Sequence, residues 1–285
     1  MSSSSEKLDE LTHTFSADRL FCDALLTSRN AEKVAEVLVF NEWASKYMAY
    51  CQQGLLQQVP TRFGATRLTS GELWTAILMA GLTKDINLVP YLVLRGLVSE
   101  AGAVLRRGLE TTGVLTHIWR DPIKVQALHT EPTTREYGEA FRRYNNAKPL
   151  SGRFGAFGSQ RAASGLYESL SKFYVHGGTG YHLWSDSLVP NELSCAFSNR
   201  PDAESETLGA QLEILSAGVL MLCAEVAAVW LEYGEATQAR ADAVHALESM
   251  VDESSDTPGR MQEHVAKVLA RVRVGLPGDG KQAVE

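Results

Sequence analysis

Cysteine is scarce in this chain and badly spaced for a framework. Four occur in 285 residues, at Cys22, Cys51, Cys195 and Cys223, and no two form a C-x-x-C pair. That excludes a disulfide scaffold or a cysteine-ligated zinc site and points to reduced thiols in a cytoplasmic protein. Positive charge is also short. Lys and Arg number 27 against 34 Asp and Glu, a formal net charge of −7. A general nucleic-acid coat is excluded, although a local basic patch is not. No segment alternates apolar and polar residues between hairpin turns, so strands are not expected. No repeat of fixed period occurs. The opening residues, MSSSSEKLDE, are polar and acidic, unlike a signal peptide.

Long apolar runs are few. The clearest is ILSAGVLMLCAEVAAVW, Ile214 to Trp230, which contains Glu225 and has Glu206, Glu213 and Glu232 close by. A membrane span wants about 20 predominantly apolar residues and no unpaired charge. A buried core helix is therefore expected here, and no membrane partner. The inventory of catalytic motifs is equally bare. There is no G-x-x-x-x-G-K-[ST], no H-E-x-x-H, no paired E-x-x-H, no G-x-S-x-G and no dinucleotide fingerprint. His176, His182 and Asp186 are near one another but match no standard ligand spacing, so no metal and no cofactor are expected.

What the sequence does contain is helical periodicity. Apolar residues recur at three- and four-residue steps in most segments, which predicts an all-α multi-helix bundle. Residues 16–274 are expected to form a single helical domain, with 1–15 and 275–285 as flexible tails. A short helix is expected from Ser16 to Ser28, and a long one from Asn30 to near Pro60. Thr69 and Glu72 make a capping box that opens a helix to about Thr83, and Thr133 with Glu136 offers a second box. Further helices are expected over Arg161–Val175, from Pro201-Asp202 through Glu232, and over Arg260–Val274. The organising element is a long central helix at about 91–120, bracketed by Pro90 and by Asp121-Pro122.

That central helix carries a polar seam. Arg95, Ser99, Gly102, Arg106, Glu110, Gly113 and His117 fall on one stripe. Arg106 and Glu110 are four apart and can pair. With His117, and with His176 where a later helix ends, they are the candidate catalytic residues, supplying general acid/base or anion-binding groups. The competing reading is a buried hydrogen-bonded network that fixes helix register. For His176 the alternative is a helix C-terminal cap followed by Gly177 and Gly178.

A second candidate site is basic. Between Pro132 and His176 seven Lys and Arg stand against three Glu, a local excess inside an acidic chain. Arg142, Arg143, Lys148, Arg153 and Arg161 flank AKPLSGRFGAFGSQ, where Gly152, Gly155 and Gly158 alternate with Phe154 and Phe157. Exposed amides, arginines and stacking rings suit RNA or another anionic ligand. The competing reading is a solvated helix whose loop phenylalanines enter the core.

Two stretches together resemble a known group. R-x-L-E leading to W-R-D-P (Arg107, Leu109, Glu110, Trp119 to Pro122), then Y-x-x-L-S-x-x-x-x-H (Tyr167, Leu170, Ser171, His176), is similar to a group of uncharacterised bacterial all-helical proteins over about residues 85–180. The resemblance implies a bundle in which the Arg/Glu helix packs on the Ser/His helix. It implies no reaction. Arg240 and His245 also fit the R-x(4–6)-H spacing of HEPN ribonucleases, but the usual polar residue after the arginine is alanine here, and chance supplies such a spacing easily. The expectation is a self-associating, non-enzymatic binding or regulatory protein that contacts RNA or another anionic ligand through the basic loop. The alternative is a ribonuclease-like effector of bacterial stress or phage defence.

Overall fold

The computed structural model of this chain describes residues 19–123, 125, 150, 160–174 and 201–234. Those residues form an all-α bundle with no strand among them. A helical segment at 19–27 precedes α1 (Ala31–Phe63). A single 3-10 turn (Ala65–Arg67) then leads into α2 (Leu68–Leu94). The remaining helices are α3 (Val98–Arg120), α4 (Gln160–Tyr174) and α5 (Glu206–Tyr233). The second capping box and the expected helix at 260–274 lie outside the described residues.

The long central helix begins later than the prolines suggested. Pro90 lies inside α2, and the chain reverses at Gly96 instead. The Leu97 N–H donates to the Leu92 carbonyl at 2.8 Å and the Gly96 N–H to that of Val93 at 2.9 Å. This is a Schellman closure, and it needs a residue at positive φ, which Gly96 supplies at +75°. An interior proline forfeits one helix hydrogen bond and crowds a carbonyl. Here Ile86, Val89 and Val93 are buried on either side of it and hold the helix together. The same packing carries α2 past Thr83. Thr69 is not its cap either. The 3-10 turn runs straight into the helix, whose N-cap, Arg67, makes no side-chain capping bond.

α5 starts at Glu206, later than Pro201-Asp202. Asp202 Oδ1 accepts from the Glu204 N–H in the preceding turn, and Ser205 Oγ caps the Thr207 N–H at 3.2 Å. Asn30 sits before α1 as expected but does not cap it. Its Nδ2 donates to the carbonyls of Ala203 (2.8 Å) and Ser205 (2.9 Å), tying the start of α1 to the start of α5. Lys33 with Glu213 (2.8 Å) reinforces that end.

These contacts fix the directions. α1 runs parallel to α5, since Asn30 meets Ser205 and Gly54 meets Trp230. α2 is antiparallel to α1 and to α3, since Ser45 donates to Asn87 and Trp119 Nε1 to Thr75 Oγ1. α5 packs on α1, α3 and α4, whereas α2 packs on α1 and α3. α2 and α5 thus lie across the bundle from each other, each packed on both α1 and α3. At the base of α3, Arg62 donates to the carbonyls of Trp119 (2.6 Å) and Arg120 (3.0 Å). A cation there satisfies orphan carbonyls and suits the negative end of the helix dipole.

Among the described residues two helical stretches are long and apolar enough to cross a membrane, Ala65–Leu94 and Glu206–Tyr233. Only the second stood out in the sequence. Its apolar window is 78% buried inside the bundle, against 39% for the first. Glu225, which interrupts that run, is itself 3% exposed. Its Oε2 accepts the Leu150 N–H at 2.7 Å.

Candidate functional site

The polar seam of α3 meets α4 directly. Arg106 Nε donates to Ser171 Oγ at 2.9 Å, and Arg106 Nη2 pairs with Glu110 Oε1 at 2.9 Å. The Arg106 guanidinium lies over the Tyr167 ring, 5.6 Å from its centroid. That is within the roughly 6 Å reach of a cation–π contact. The Tyr167 hydroxyl donates to Glu110 Oε1 at a long 3.4 Å. Burial raises the Tyr167 phenol above its ordinary range, and the neighbouring Arg106 opposes that shift without cancelling it. The phenol therefore stays protonated at neutral pH and serves as a donor. α3 presents Arg106 and Glu110 one turn apart, and α4, running the other way, presents Ser171 and Tyr167 opposite them. The Arg106 and Glu110 side chains retain 20% and 25% of their exposure, so the cluster is a half-buried seal between two helices.

His117 does not join that cluster. It lies seven residues beyond Glu110, about 10 Å along the axis, and is buried. Its Nδ1 is 3.2 Å from Arg120 Nη2. A guanidinium only donates, so Nδ1 is the acceptor and the ring proton sits on Nε2. The seam thus splits into two separate polar contacts along one helix. His176 lies outside the described residues, as do Arg142, Arg143, Lys148 and Arg153. The backbone of Arg161 is in the first turn of α4, and its side chain is outside them too. No group of three or more His, Cys, Asp or Glu suited to a metal occurs among the described residues.

The sequence pattern did not reveal a second cross-helix pair. Arg107, next to Arg106 but pointing to the other neighbour, forks onto Asp85 of α2. Its Nε donates to Oδ2 at 3.2 Å and its Nη2 to Oδ1. Asp85 is 5% exposed. The hydrogen bond to Asp85 raises the Arg107 guanidinium further above its already high range. A lone aspartate in the apolar run of α2 was the only signal, and its partner is 22 residues away.

The basic stretch has a described anchor at each end. Leu150 is buried and its amide is held by Glu225, while Gln160 opens α4. The nine residues between them include Arg153 and all three spaced glycines.

The chain matches no protein-family model, no curated protein and no solved structure.

Proposed function

We propose that this chain is a non-catalytic, cytoplasmic binding or regulatory protein. The bundle is its scaffold, and the basic stretch from Arg142 to Arg161 is its contact surface for RNA or another anionic ligand. The observation that carries this reading is the state of Arg106. Its guanidinium is taken up inside the bundle by Glu110, Ser171 and the Tyr167 ring. An arginine so engaged stiffens the α3–α4 contact and has little left for a substrate phosphate. The anchoring of Leu150 on Glu225 supports the second half of the reading, because it ties the start of the glycine-rich stretch to the core helix. Arginines and phenylalanines in this part of the sequence would bind through phosphate contacts and stacking, with a strong salt dependence.

The ribonuclease-like alternative needs Arg106, Glu110, His117 and His176 around one phosphate. The pairing of Arg106 with Glu110, and of His117 with Arg120, weighs against it. The test is fluorescence anisotropy of a labelled single-stranded RNA titrated with the full chain. Binding that falls steeply with salt is expected, weakened at least about tenfold by Arg153→Glu with Arg161→Glu. Equal binding by the charge-reversed chain would overturn the assignment of the surface.

A further inference from the structure

α2 covers α1 and α3 with one face and leaves the other uncovered. Six exposed residues mark that outer face: Leu73, Ile77, Ala80, Lys84, Asn87 and Tyr91. Their spacing is four, three, four, three, four, which is the a/d seam of a coiled coil. Leu73 and Ile77 are each 48% exposed and Tyr91 is 53% exposed, unusual for large apolar side chains on one stripe. Immediately past Ile77 a groove of about 760 Å³ opens between α1 and α2. It is lined by Ala49 and Gln52 on one side and by Ala80, Lys84, Leu88 and Tyr91 on the other. Knobs and groove therefore lie on the same face, displaced along one helix.

We propose that this face is where a second copy of the chain docks, with the two α2 helices antiparallel. A two-fold axis beside Ala80 and Ile77 lays Leu73 and Ile77 of each copy over the groove of the other. Both knobs and both grooves are used, which is the self-complementarity that an isologous interface requires. Charge selects this orientation. Glu72 and Lys84 are both exposed, and neither forms an ion pair among the described residues. In the antiparallel register Lys84 runs past Leu73 of the second copy to reach its Glu72, and the pairing occurs twice. A parallel register would set Lys84 against Lys84 on the seam. A lipid surface suits the stripe less well, because Lys84 stands in its middle, where a bilayer would penalise a charge. The seam from Leu73 to Tyr91 is only about 27 Å long, short of a standard interface. The dimer is accordingly weak and concentration-dependent. This inference is independent of the RNA reading.

Sedimentation velocity of the full chain over a wide dilution series tests it. The expected result is exchange between a 31.2 kDa species and one of twice that mass. Ile77→Asp should abolish the heavier species while circular dichroism shows the helical signal intact. Glu72→Lys and Lys84→Glu should each raise the dissociation constant at least about tenfold, and the two together should restore it. A monomer at every concentration would overturn the proposal. So would a dimer indifferent to Ile77→Asp, or a double charge swap weaker than both single changes. Binding of the monomer to phosphatidylcholine–phosphatidylserine vesicles, lost in Ile77→Asp, would make the face lipid-binding and overturn it equally.

Discussion

Arg106 Nε donates to Ser171 Oγ across 2.9 Å, and this bond joins the middle of α3 to the last turn of α4. Glu110 and Tyr167 close the arrangement around it. The cluster is partly exposed, so its contribution to stability is modest. Replacing Arg106 by Ala should cost about 1–2 kcal/mol, since it removes the donor to Ser171 and leaves Glu110 with only the long bond from Tyr167. Urea unfolding measures this. A double-mutant cycle with Ser171→Ala should return a coupling of about 0.5–1.5 kcal/mol. Strict additivity would mean that the bond contributes nothing.

The fork from Arg107 to Asp85 should matter more, because its acceptor is buried while its donor is half in water. Arg107→Ala strands a buried carboxylate and should destabilise by about 2–4 kcal/mol, the lower end reflecting solvent at the arginine. Asp85→Asn should cost less, since the amide oxygen still accepts and no charge is left buried. Equal losses from the two substitutions would contradict this explanation.

Close packing of α1 on α5 rests on a glycine. A Cβ at Gly54 would overlap the ring of Trp230, a residue 1% exposed. Gly54→Ala should therefore destabilise by about 2–3 kcal/mol, despite the better helix propensity of alanine. A methyl group at Gly165 in α4 would meet nothing within 4 Å among the described residues. There the propensity gain stands alone, and Gly165→Ala should stabilise by about 0.5–1 kcal/mol. Thermal melts of the two variants should move in opposite directions.

The core thiols give the protein an alkaline limit. Burial pushes the Cys51 thiol from 9.0 up to about 12, with the Tyr47 hydrogen bond opposing it, and burial likewise raises Cys223 and the Tyr47 phenol. Below pH 9 folded and unfolded chains both keep the Cys51 proton, and the full contribution is present. Between pH 9 and about 12 the unfolded chain releases that proton while the folded chain holds it. Stability should then fall by ~1.4 kcal/mol per pH unit for this thiol. Melting temperatures from pH 8 to 11 check the trend, and Cys51→Ala should make it shallower, with Cys223 and Tyr47 supplying the remainder. A wild-type curve level through that range would contradict the buried-thiol explanation.

Much of the fold was legible, and the exceptions have specific causes. The 3.6-residue spacing located α1, α4 and α5 to within a few residues, and α1 and α5 each bury a broad apolar face. Pro90 misplaced the start of α3. Its local penalty is real, but the burial of Val89 and Val93 outweighs it, and Gly96 was the true punctuation. Asn30 and Thr69 look like caps, yet one bonds across the bundle and the other sits inside a helix. The pairing of Arg106 with Glu110 followed from i, i+4 spacing, whereas helix periodicity alone did not place Ser171 against it. Nor did it reveal the Asp85–Arg107 fork, because only the register of α2 against α3 creates it. The distance of His117 from Glu110, by contrast, was legible, since seven residues span about 10 Å of helix. A shared stripe places residues on one face without bringing residues seven apart together.

The most direct measurement compares Arg106→Ala with the wild-type chain in RNA anisotropy, RNA integrity and thermal melting under one set of conditions. A strut predicts a lower melting temperature, RNA affinity unchanged within about twofold, and RNA left intact by both proteins. A wild-type chain that cleaves the RNA, with cleavage lost in Arg106→Ala at an unchanged melting temperature, would make Arg106 a catalytic residue and contradict the non-catalytic reading.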